Sequence, residues 1–262
     1  MDGPAECSLV TYELQGPVAV IGLNRPDKRN AISDKVVAAL DEAVERASSE
    51  ARAGVIHGEG PHFCAGLDLA EHVEKTLFGA IENSRMWHRV FDRIERGKIP
   101  FVSALQGAVV GGGLELAAAT HIRVAEATAF FALPEGQRGI FVGGGGSVRV
   151  ARLIGAARMA DMMLTGRVVK AADMERWGGV SYIVDEGRAL DSALELATKT
   201  ASNAELSNYA ILNALPRAQD MSSGDGLFLE SVMSALTSAT PEAEERLRAF
   251  LEKRAGKVKP QG

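Results

Sequence analysis

The chain lacks several features that would assign it to a protein class at once. Its 262 residues include only two cysteines, Cys7 and Cys64, too few for a disulfide framework, so a reducing compartment is expected. No run of about 18 apolar residues occurs, which argues against a membrane-spanning helix. The first residues show no basic segment followed by an apolar core, so no secretory signal is expected. These absences predict a cytoplasmic protein without membrane contact.

Excess basic charge and metal-binding spacing are absent as well. The formal net charge is -5, which argues against a general nucleic-acid binder but leaves a local basic patch open. The five histidines are not spaced as metal ligands, and with Cys64 they form no zinc pattern. Ser147 follows glycines but lacks the pattern of a nucleophile elbow. We therefore expect no metal site and no nucleic-acid partner.

The residues that are present predict an α/β fold. The hydrophobic fraction of 46% is ordinary for a globular protein, and a chain of this length can bury a large core. Predicted strands cover residues 8–14, 18–23, 54–57, 101–105, 122–125 and 129–132. Predicted helices cover 35–49 and 77–96, include 115–119 and follow 143–146. Since helices dominate after about residue 187, we predict a core at 1–185 and a helical part at 186–262.

Three glycine-containing loops follow predicted strands and carry candidate chemistry. In the loop 62–68, the small Ala65-Gly66 pair would let a ligand approach the backbone, although, taken alone, a simple tight turn is the favoured explanation. In 107–113, three glycines lead into a helix whose first amides favour negative charge. That loop is not a phosphate-binding loop because no lysine follows it. Glu115 lies in the first turn of that helix, among small and apolar residues.

The second candidate carboxylate, Glu135, comes twenty residues later, in the third of these loops, 133–136. Taken alone, Glu115 and Glu135 are both explained as carboxylates that stabilise a helix start. A buried glutamate without a partner is costly, however, so its presence among apolar residues calls for a reason. Two glutamates that converge on one water raise the pKa of one of them, and one can then act as an acid while the other acts as a base.

Taken together, the segments 63–68 and 106–146 resemble the crotonase, or enoyl-CoA hydratase, superfamily. The similarity extends from Asn24-Arg25-Pro26 to Phe250. It implies a spiral of ββα units with a helical C-terminal region that builds homotrimers or dimers of trimers. It also implies an acyl-CoA substrate and no separate cofactor, because the substrate itself carries coenzyme A.

The resemblance implies a role for each matching position. Glu115 would activate water and Glu135 would protonate the α-carbon of the acyl group. The backbone N–H groups of Leu67 and Gly112 would form an oxyanion hole, and Gly143 would help to position the water. The positions that match coenzyme A contacts are Lys28, Arg29, Ala31, Ala65, Asp68, Phe250 and Lys253.

Some positions depart from the family pattern and leave alternatives open. Val142 replaces the usual proline before the water-positioning glycine. Arg138 lies either near the acyl tail or in solvent, and Trp87-His88 differs from long-chain hydratases. The segment 135–146 is most similar to methylthioacryloyl-CoA hydratases. Hydration of a short 2-enoyl-CoA is therefore the leading interpretation. A thioester hydrolase, or a second hydrolytic activity, is the alternative, and a catalytically silent oligomeric binding module is the alternative of another class.

Overall fold

The structure is a computed structural model that describes residues 8–69 and 76–254. These residues form an α/β fold, as predicted. The strands are β1 (Val10–Gln15), β2 (Val18–Leu23), β3 (Ala53–Gly58), β4 (Phe101–Leu105), β5 (Ala108–Val110), β6 (Ile122–Glu126), β7 (Phe130–Ala132), β8 (Val169–Lys170) and β9 (Tyr182–Val184). The helices are α1 (Asp34–Glu50), α2 (Leu77–Arg96), α3 (Gly112–Ala119), α4 (Gly146–Ile154), α5 (Ala156–Thr165), α6 (Ala171–Arg176), α7 (Ala189–Ala201), α8 (Glu205–Gln219), α9 (Ser223–Ser238) and α10 (Pro241–Leu251).

The larger sheet is built mainly from parallel strands. Its order within the described residues is β1-β2-β3-β4-β6-β9, and only the β1–β2 hairpin is antiparallel. Gly16 in the hairpin turn has φ of 57°, a left-handed conformation that glycine adopts without strain. Every residue of β2, β3 and β4 is buried. This burial fits a parallel sheet that is covered on both faces.

A smaller sheet is formed by short segments that alternate along the chain with the strands of the larger sheet. Its strands have the order β5-β7-β8, and the isolated bridges Cys64–Val109 and Ile32–Leu67 continue the pattern toward earlier turns of the chain. Each turn thus adds one long strand to the larger sheet and one short segment to this one before a helix returns. The spiral of ββα units implied by the family resemblance is confirmed. The interpretation of 106–113 as a loop was wrong for β5, because three residues are too few to show a strand period.

Apolar cores cover both faces of the larger sheet. On one face, α1 contributes a stripe of buried residues at helical spacing, including Val36, Leu40 and Val44. Its N-terminus is capped by Ser33, since the Ser33 hydroxyl accepts a hydrogen bond from the Val36 N–H. On the other face, the alanines of α7 pack against Val55 and other strand residues. The buried alanines of α7 recur at every fourth position: Ala189, Ala193, Ala197 and Ala201.

The chain divides into two compact units, one ending at Ala201 and one beginning at Ser202. The division expected from the sequence lay at 185/186. Helix α7 belongs to the first unit because its alanines are part of the sheet core. In the second unit, α8 and α9 flank an apolar groove that includes Ile211, Leu215 and Met233. Its predicted role in oligomerisation stays a prediction. Among the described residues, no helix is long and apolar enough to cross a membrane.

Candidate active site

One cavity of about 190 Å³ brings together residues from all three glycine-containing loops. Both candidate glutamates, Glu115 and Glu135, line it, and both side chains are buried. The first glutamate comes from α3 and the second from the turn after β7. The apolar wall of the cavity includes Ala80, Trp87, Ile140, Phe141 and Val142. The cavity therefore combines two carboxylates with an apolar wall, a combination typical of a small-molecule site.

Glu115 is held by backbone amides of the loop that precedes α4. Its Oε1 atom accepts hydrogen bonds of 2.8 Å from both the Gly144 N–H and the Gly146 N–H. A Cβ atom at position 146 would lie 2.9 Å from Cγ of Glu115, and one at 144 would lie 3.3 Å from its Cδ. Glycine is thus required at position 146 because the carboxylate occupies the space of a side chain.

Glu135 has a different environment. It precedes a single 3₁₀ turn, Gly136–Arg138, and its Oε2 atom is buried with no hydrogen-bond partner among the described residues. Its Oε1 atom lies 2.8 Å from the place that a Cβ atom at Gly111 would occupy, so a side chain at position 111 would displace it. A buried carboxyl oxygen without a donor favours the protonated form of the group.

The pKa values of the two carboxyl groups follow from these surroundings. Burial raises the pKa of Glu115, and the amides of the 143–146 loop and the charge of Arg149 oppose that rise. Burial, reinforced by the charge of Glu115, raises the pKa of Glu135 to about 7, although Arg138 opposes it. The pair can therefore hold one proton near neutral pH. Such a pair supplies one acid and one base at the same cavity.

Two backbone amides face the same cavity as the carboxylates. In the bridge to Ile32, the Asp68 N–H donates to the Ile32 carbonyl, while the Ile32 N–H donates to Gly66. Because a parallel ladder alternates its pairing side, the Leu67 N–H points away from Ile32. Gly112 opens α3, so its N–H has no partner within the helix. Both residues line the cavity.

The two amides are also close to each other. A Cβ atom at Gly112 would lie 3.8 Å from the Leu67 nitrogen, and one at Gly66 would lie 3.5 Å from the Gly112 nitrogen. Gly66 adopts φ of 94° and approaches the Val110 carbonyl so closely that a Cβ would lie only 2.8 Å from it. The glycine therefore permits the close approach that brings the two N–H groups together. Their role as an oxyanion hole stays a prediction.

The water-positioning role predicted for Gly143 likewise stays a prediction. Gly143 lines the cavity, and its carbonyl oxygen accepts a hydrogen bond of 2.6 Å from the Ser84 hydroxyl on α2. A Cβ atom there would find Ser84 Oγ at 3.9 Å and nothing nearer, so the residue is not crowded. Sequence reasoning missed Ser84 because it lies in an amphipathic helix with no glycine or acidic motif beside it.

The predicted coenzyme A positions near the N-terminus form one hydrogen-bonded loop. Asp68 is buried and pairs with Arg25 at 2.9 Å and with Lys28 at 3.1 Å. Burial alone would raise the pKa of Asp68, but these two cations outweigh it and hold the pKa below its ordinary value. The Ala31 carbonyl accepts from Arg25 at 2.8 Å, and the Ala65 N–H donates to the Arg29 carbonyl at 2.9 Å.

These contacts show that the loop 25–31 is fixed against the segment 65–68. Sequence reasoning did not single out Arg25, although it lies within the quoted Asn24-Arg25-Pro26 motif. The predicted contacts Phe250 and Lys253 lie in the second unit: Phe250 is exposed on α10, and Lys253 follows that helix with φ of 60°. Coenzyme A binding by any of these residues stays a prediction.

Two further positions that the sequence left open are located by the structure. Arg138 is exposed and also lines the cavity, so it belongs to the rim rather than to either alternative alone. His88 lies on α2 with its Nε2 atom 3.4 Å from Ser84 Oγ. Burial and the charge of Arg149 lower the pKa of His88. No group of three or more residues suited to a metal ion occurs in the described ranges 8–69 and 76–254.

Two buried carboxylates and two backbone amides on one cavity define a site for acid–base chemistry at a carbonyl compound. A sequence model of the family described as enoyl-CoA hydratase/isomerase matches residues 13–261. This chain belongs to that family.

Individual relatives match over nearly their full lengths. The chain is 33% identical over 242 residues to the 2,3-dehydroadipyl-CoA hydratase of Escherichia coli K12, and the matched region covers 92% of this chain and 94% of that protein. It is 31% identical over 252 residues to the short-chain-enoyl-CoA hydratase of Clostridium acetobutylicum, covering 95% and 97%. A solved structure from Rhodopseudomonas palustris CGA009 matches with a TM-score of 0.92 at 52% identity, covering 97% of this chain and 98% of that one.

Proposed function

We propose that this protein is a hydro-lyase that adds water across the 2,3 double bond of a short acyl-CoA thioester. The observation that carries the proposal is the convergence of Glu115, Glu135 and two outward-facing amides on one apolar cavity. Family membership and the names of the relatives, two of which are enoyl-CoA hydratases, support the same reaction.

The different surroundings of the two glutamates support a division of roles. Glu115 accepts two amide hydrogen bonds, which favour its ionised form and suit a base that removes a proton from water. The resulting hydroxide attacks the β-carbon. Glu135 has an unpartnered buried oxygen and a raised pKa, which suit the protonated acid that delivers its proton to the α-carbon. The proton gained by one glutamate and the proton lost by the other balance the addition of one water.

The oxyanion hole completes the reaction scheme. As hydroxide adds to the β-carbon, negative charge moves to the thioester oxygen. The N–H groups of Leu67 and Gly112 would donate hydrogen bonds to that oxygen and so stabilise its negative charge. Loss of one such donor costs about 2.7–4 kcal/mol in comparable sites. Since they are backbone groups on closely packed segments, they need no reorganisation during the reaction.

The direct test is an assay of the purified protein with crotonyl-CoA. We expect the absorbance of the enoyl thioester to disappear without release of free thiol. Mass spectrometry of the product should show the addition of one water, with coenzyme A still attached. Absence of turnover on every 2-enoyl-CoA of four to six carbons would refute the proposal.

Thioester hydrolysis is the second candidate reaction. The same cavity could direct water to the carbonyl carbon instead of the β-carbon, because the amides would stabilise either oxyanion. Release of free thiol from a saturated acyl-CoA, such as butyryl-CoA, would identify this activity. Hydration of crotonyl-CoA without any such release would reject it. A protein that binds acyl-CoA and turns over none of these thioesters would be the silent binding module.

For the natural substrate, we propose methylthioacryloyl-CoA as the first compound to test. The polar stretch 136–139, with Arg138 at the cavity rim, supports a substrate other than a long aliphatic chain. Competition between methylthioacryloyl-CoA and crotonyl-CoA gives the ratio of their kcat/KM values directly. A kcat/KM for methylthioacryloyl-CoA below that for crotonyl-CoA would reject the proposed preference. It would not affect the proposal that the protein is a hydratase.

We also propose that the second unit mediates a homotrimer or a dimer of trimers. The exposed apolar residues of α8 and α9, including Ile211, Leu215 and Phe228, support an oligomeric contact. Light scattering after size-exclusion chromatography tests this. A mass of one chain, 27.7 kDa, at micromolar concentration would refute it.

A further inference from the structure

The hydrogen bond between Ser84 on α2 and the 143–146 loop ends on the peptide group that supports Glu115. The Ser84 hydroxyl donates to the Gly143 carbonyl oxygen at 2.6 Å. The N–H of the same peptide group, on Gly144, donates to Glu115 Oε1 at 2.8 Å. A trans peptide is planar and its C=O and N–H point in opposite directions. The hydroxyl at one end therefore aims the N–H at the other.

The connection is electrostatic as well as geometric. Hydrogen bonds in a chain polarise one another, so a donor on the Gly143 carbonyl makes the Gly144 N–H a stronger donor. Its acceptor is a carboxylate, and bonds to ionised groups are about twice as strong as neutral ones. The effect is concentrated at a buried side chain, because Glu115 is only 3% exposed. Ser84, the Gly143–Gly144 peptide and Glu115 thus form a hydrogen-bonded relay, which favours the ionised form of Glu115.

His88 extends the relay by one group. Its Nε2 atom lies 3.4 Å from Ser84 Oγ, one helical turn along α2. A serine hydroxyl has one hydrogen, which here is used on the Gly143 carbonyl. A hydrogen bond across this contact requires the imidazole to donate from Nε2 to Ser84 Oγ, so it depends on the Nε2–H tautomer. This donor reinforces the direction of the Ser84 hydroxyl.

The rest of the loop is fixed from another element. Arg149 on α4 is buried and donates to the Gly144 carbonyl at 3.1 Å. Glu95 on α2 holds Arg149 through a contact of 2.6 Å. The charged groups around Glu115 are Arg149 from α4 and Glu135 from the turn after β7. His88 contacts both Ser84 and the backbone of Gly143. Ser84 carries no charge, so it can be changed without altering the charges around Glu115.

We propose that Ser84 is a positioning residue for Glu115, acting through the Gly143–Gly144 peptide to aim the N–H that stabilises the ionised carboxylate. His88 orients the hydroxyl. The proposal rests on the proposed function for its effect on turnover, but the effect on the Glu115 carboxylate exists whether or not hydration is the reaction.

The kinetic test compares Ser84→Ala with Ser84→Thr, which retains the hydroxyl. A net hydrogen bond of ordinary strength predicts that Ser84→Ala lowers kcat for crotonyl-CoA by about 3- to 10-fold. KM should change by less than about 2-fold, because the hydroxyl is used on the loop rather than on the substrate. The acid limb of the pH profile should move to higher pH, since a weaker donor raises the pKa of the base. Ser84→Thr should keep kcat and the acid limb of the pH profile at the values of the unmodified protein.

A matched control is Ser48→Ala. Ser48 also lies on a helix of the first unit, and its hydroxyl donates to the Val44 carbonyl at 2.9 Å, away from the cavity. This variant should keep the kcat and the pH profile of the unmodified protein. An effect of Ser84→Ala that the control shares would reflect general stability and would overturn the proposal.

A second measurement does not depend on catalysis. The carboxyl of Glu115 can be titrated by ¹³C NMR in glutamate-labelled protein, with Glu115→Gln used to assign its signal. We expect a higher pKa for Glu115 in Ser84→Ala than in the unmodified protein, and recovery in Ser84→Thr. An unchanged pKa, a loss confined to KM, or an equal loss in Ser84→Thr would each overturn the proposal. If the protein hydrates no enoyl-CoA but the pKa of Glu115 still rises in Ser84→Ala, the proposed function is refuted and the positioning role of Ser84 is retained.

Discussion

The two glutamates share one cavity, but the chain holds them in opposite ways. Glu115 Oε1 accepts two amide hydrogen bonds from a loop that has no room for side chains. Glu135 presents an oxygen that has no donor among the described residues. Identical side chains therefore meet different surroundings, and the nearby charges of Arg149 and Arg138 add to that difference. Under the proposed function, this difference would make one carboxyl group the base and the other the acid.

The largest expected effect removes either carboxyl group while keeping its shape. Glu115→Gln and Glu135→Gln should each lower kcat by about 10²- to 10⁴-fold, the usual contribution of one general acid or base. Steady-state kinetics with crotonyl-CoA, together with calorimetric binding of butyryl-CoA, separates chemistry from binding. Near-normal turnover in one variant would remove that residue from the mechanism and break the comparison.

The next effect perturbs the support of Glu115 without touching the carboxylate. Gly146→Ala should lower kcat by about 10- to 100-fold, because its Cβ would lie 2.9 Å from Glu115 Cγ and displace the side chain. Gly143→Ala should cost only a few-fold, since its nearest neighbour would be Ser84 Oγ at 3.9 Å. Measured kcat values for both variants test this order. Equal losses would mean that the loop tolerates no side chain anywhere.

A smaller effect concerns stability, and it should appear on the Glu135 side. The folded pKa of about 7 exceeds the ordinary value of 4.5, so the folded protein holds this proton more tightly than the unfolded chain. The resulting stabilisation is present at low pH and is lost as pH rises through about 7. Glu135→Gln cannot ionise, so it should be more stable than the unmodified protein at pH 8, by at most about 3 kcal/mol.

Urea denaturation of the two proteins across pH 4 to 8 measures this difference. The stability advantage of Glu135→Gln should grow with pH and level off near pH 8. A constant difference across the range would mean that the carboxyl of Glu135 titrates normally. Such a result would mean that the surroundings of Glu135 do not raise its pKa, and the electrostatic contrast with Glu115 would be lost.

The smallest effect comes from the rim of the cavity. The charge of Arg138 lowers the pKa of Glu135, so Arg138→Met should raise that pKa and move the alkaline limb of the kcat profile to higher pH. Because Arg138 is exposed, the shift should be below about one pH unit. Arg138→Lys retains the charge and should keep the limb in place. A shift to lower pH in Arg138→Met would contradict the assignment of Glu135 as the acid.

Long helices and most strands were predictable from the sequence, but two of the shortest strands, β5 and β8, were not. The helix predicted at 77–96 is found at Leu77–Arg96, because twenty residues give a clear apolar stripe. The two-residue strand β8 and the three-residue strand β5 are set by pairing with β7, which no local pattern reveals. Their existence depends on contacts between residues far apart in the chain.

The candidate site shows the same contrast. The glutamates stood out because carboxylates among apolar residues and glycines are unusual. Ser84 and Arg149 did not, and Trp87 was noted only as a departure from the family pattern, although all three contact the cavity or its glycine loop. Serine, tryptophan and arginine are ordinary residues of an amphipathic helix, so only the packing of α2 and α4 around the loop identifies them.

Helix α2 carries both Trp87 of the apolar wall and Ser84 of the hydrogen-bonded relay, three residues apart on one face. A substitution that reshapes the wall for a longer or shorter acyl chain would also tilt the helix against the glycine loop. Acyl selectivity and the optimum pH of turnover would then change together. Variants selected only for a new substrate would therefore be expected to acquire a new pH optimum as well.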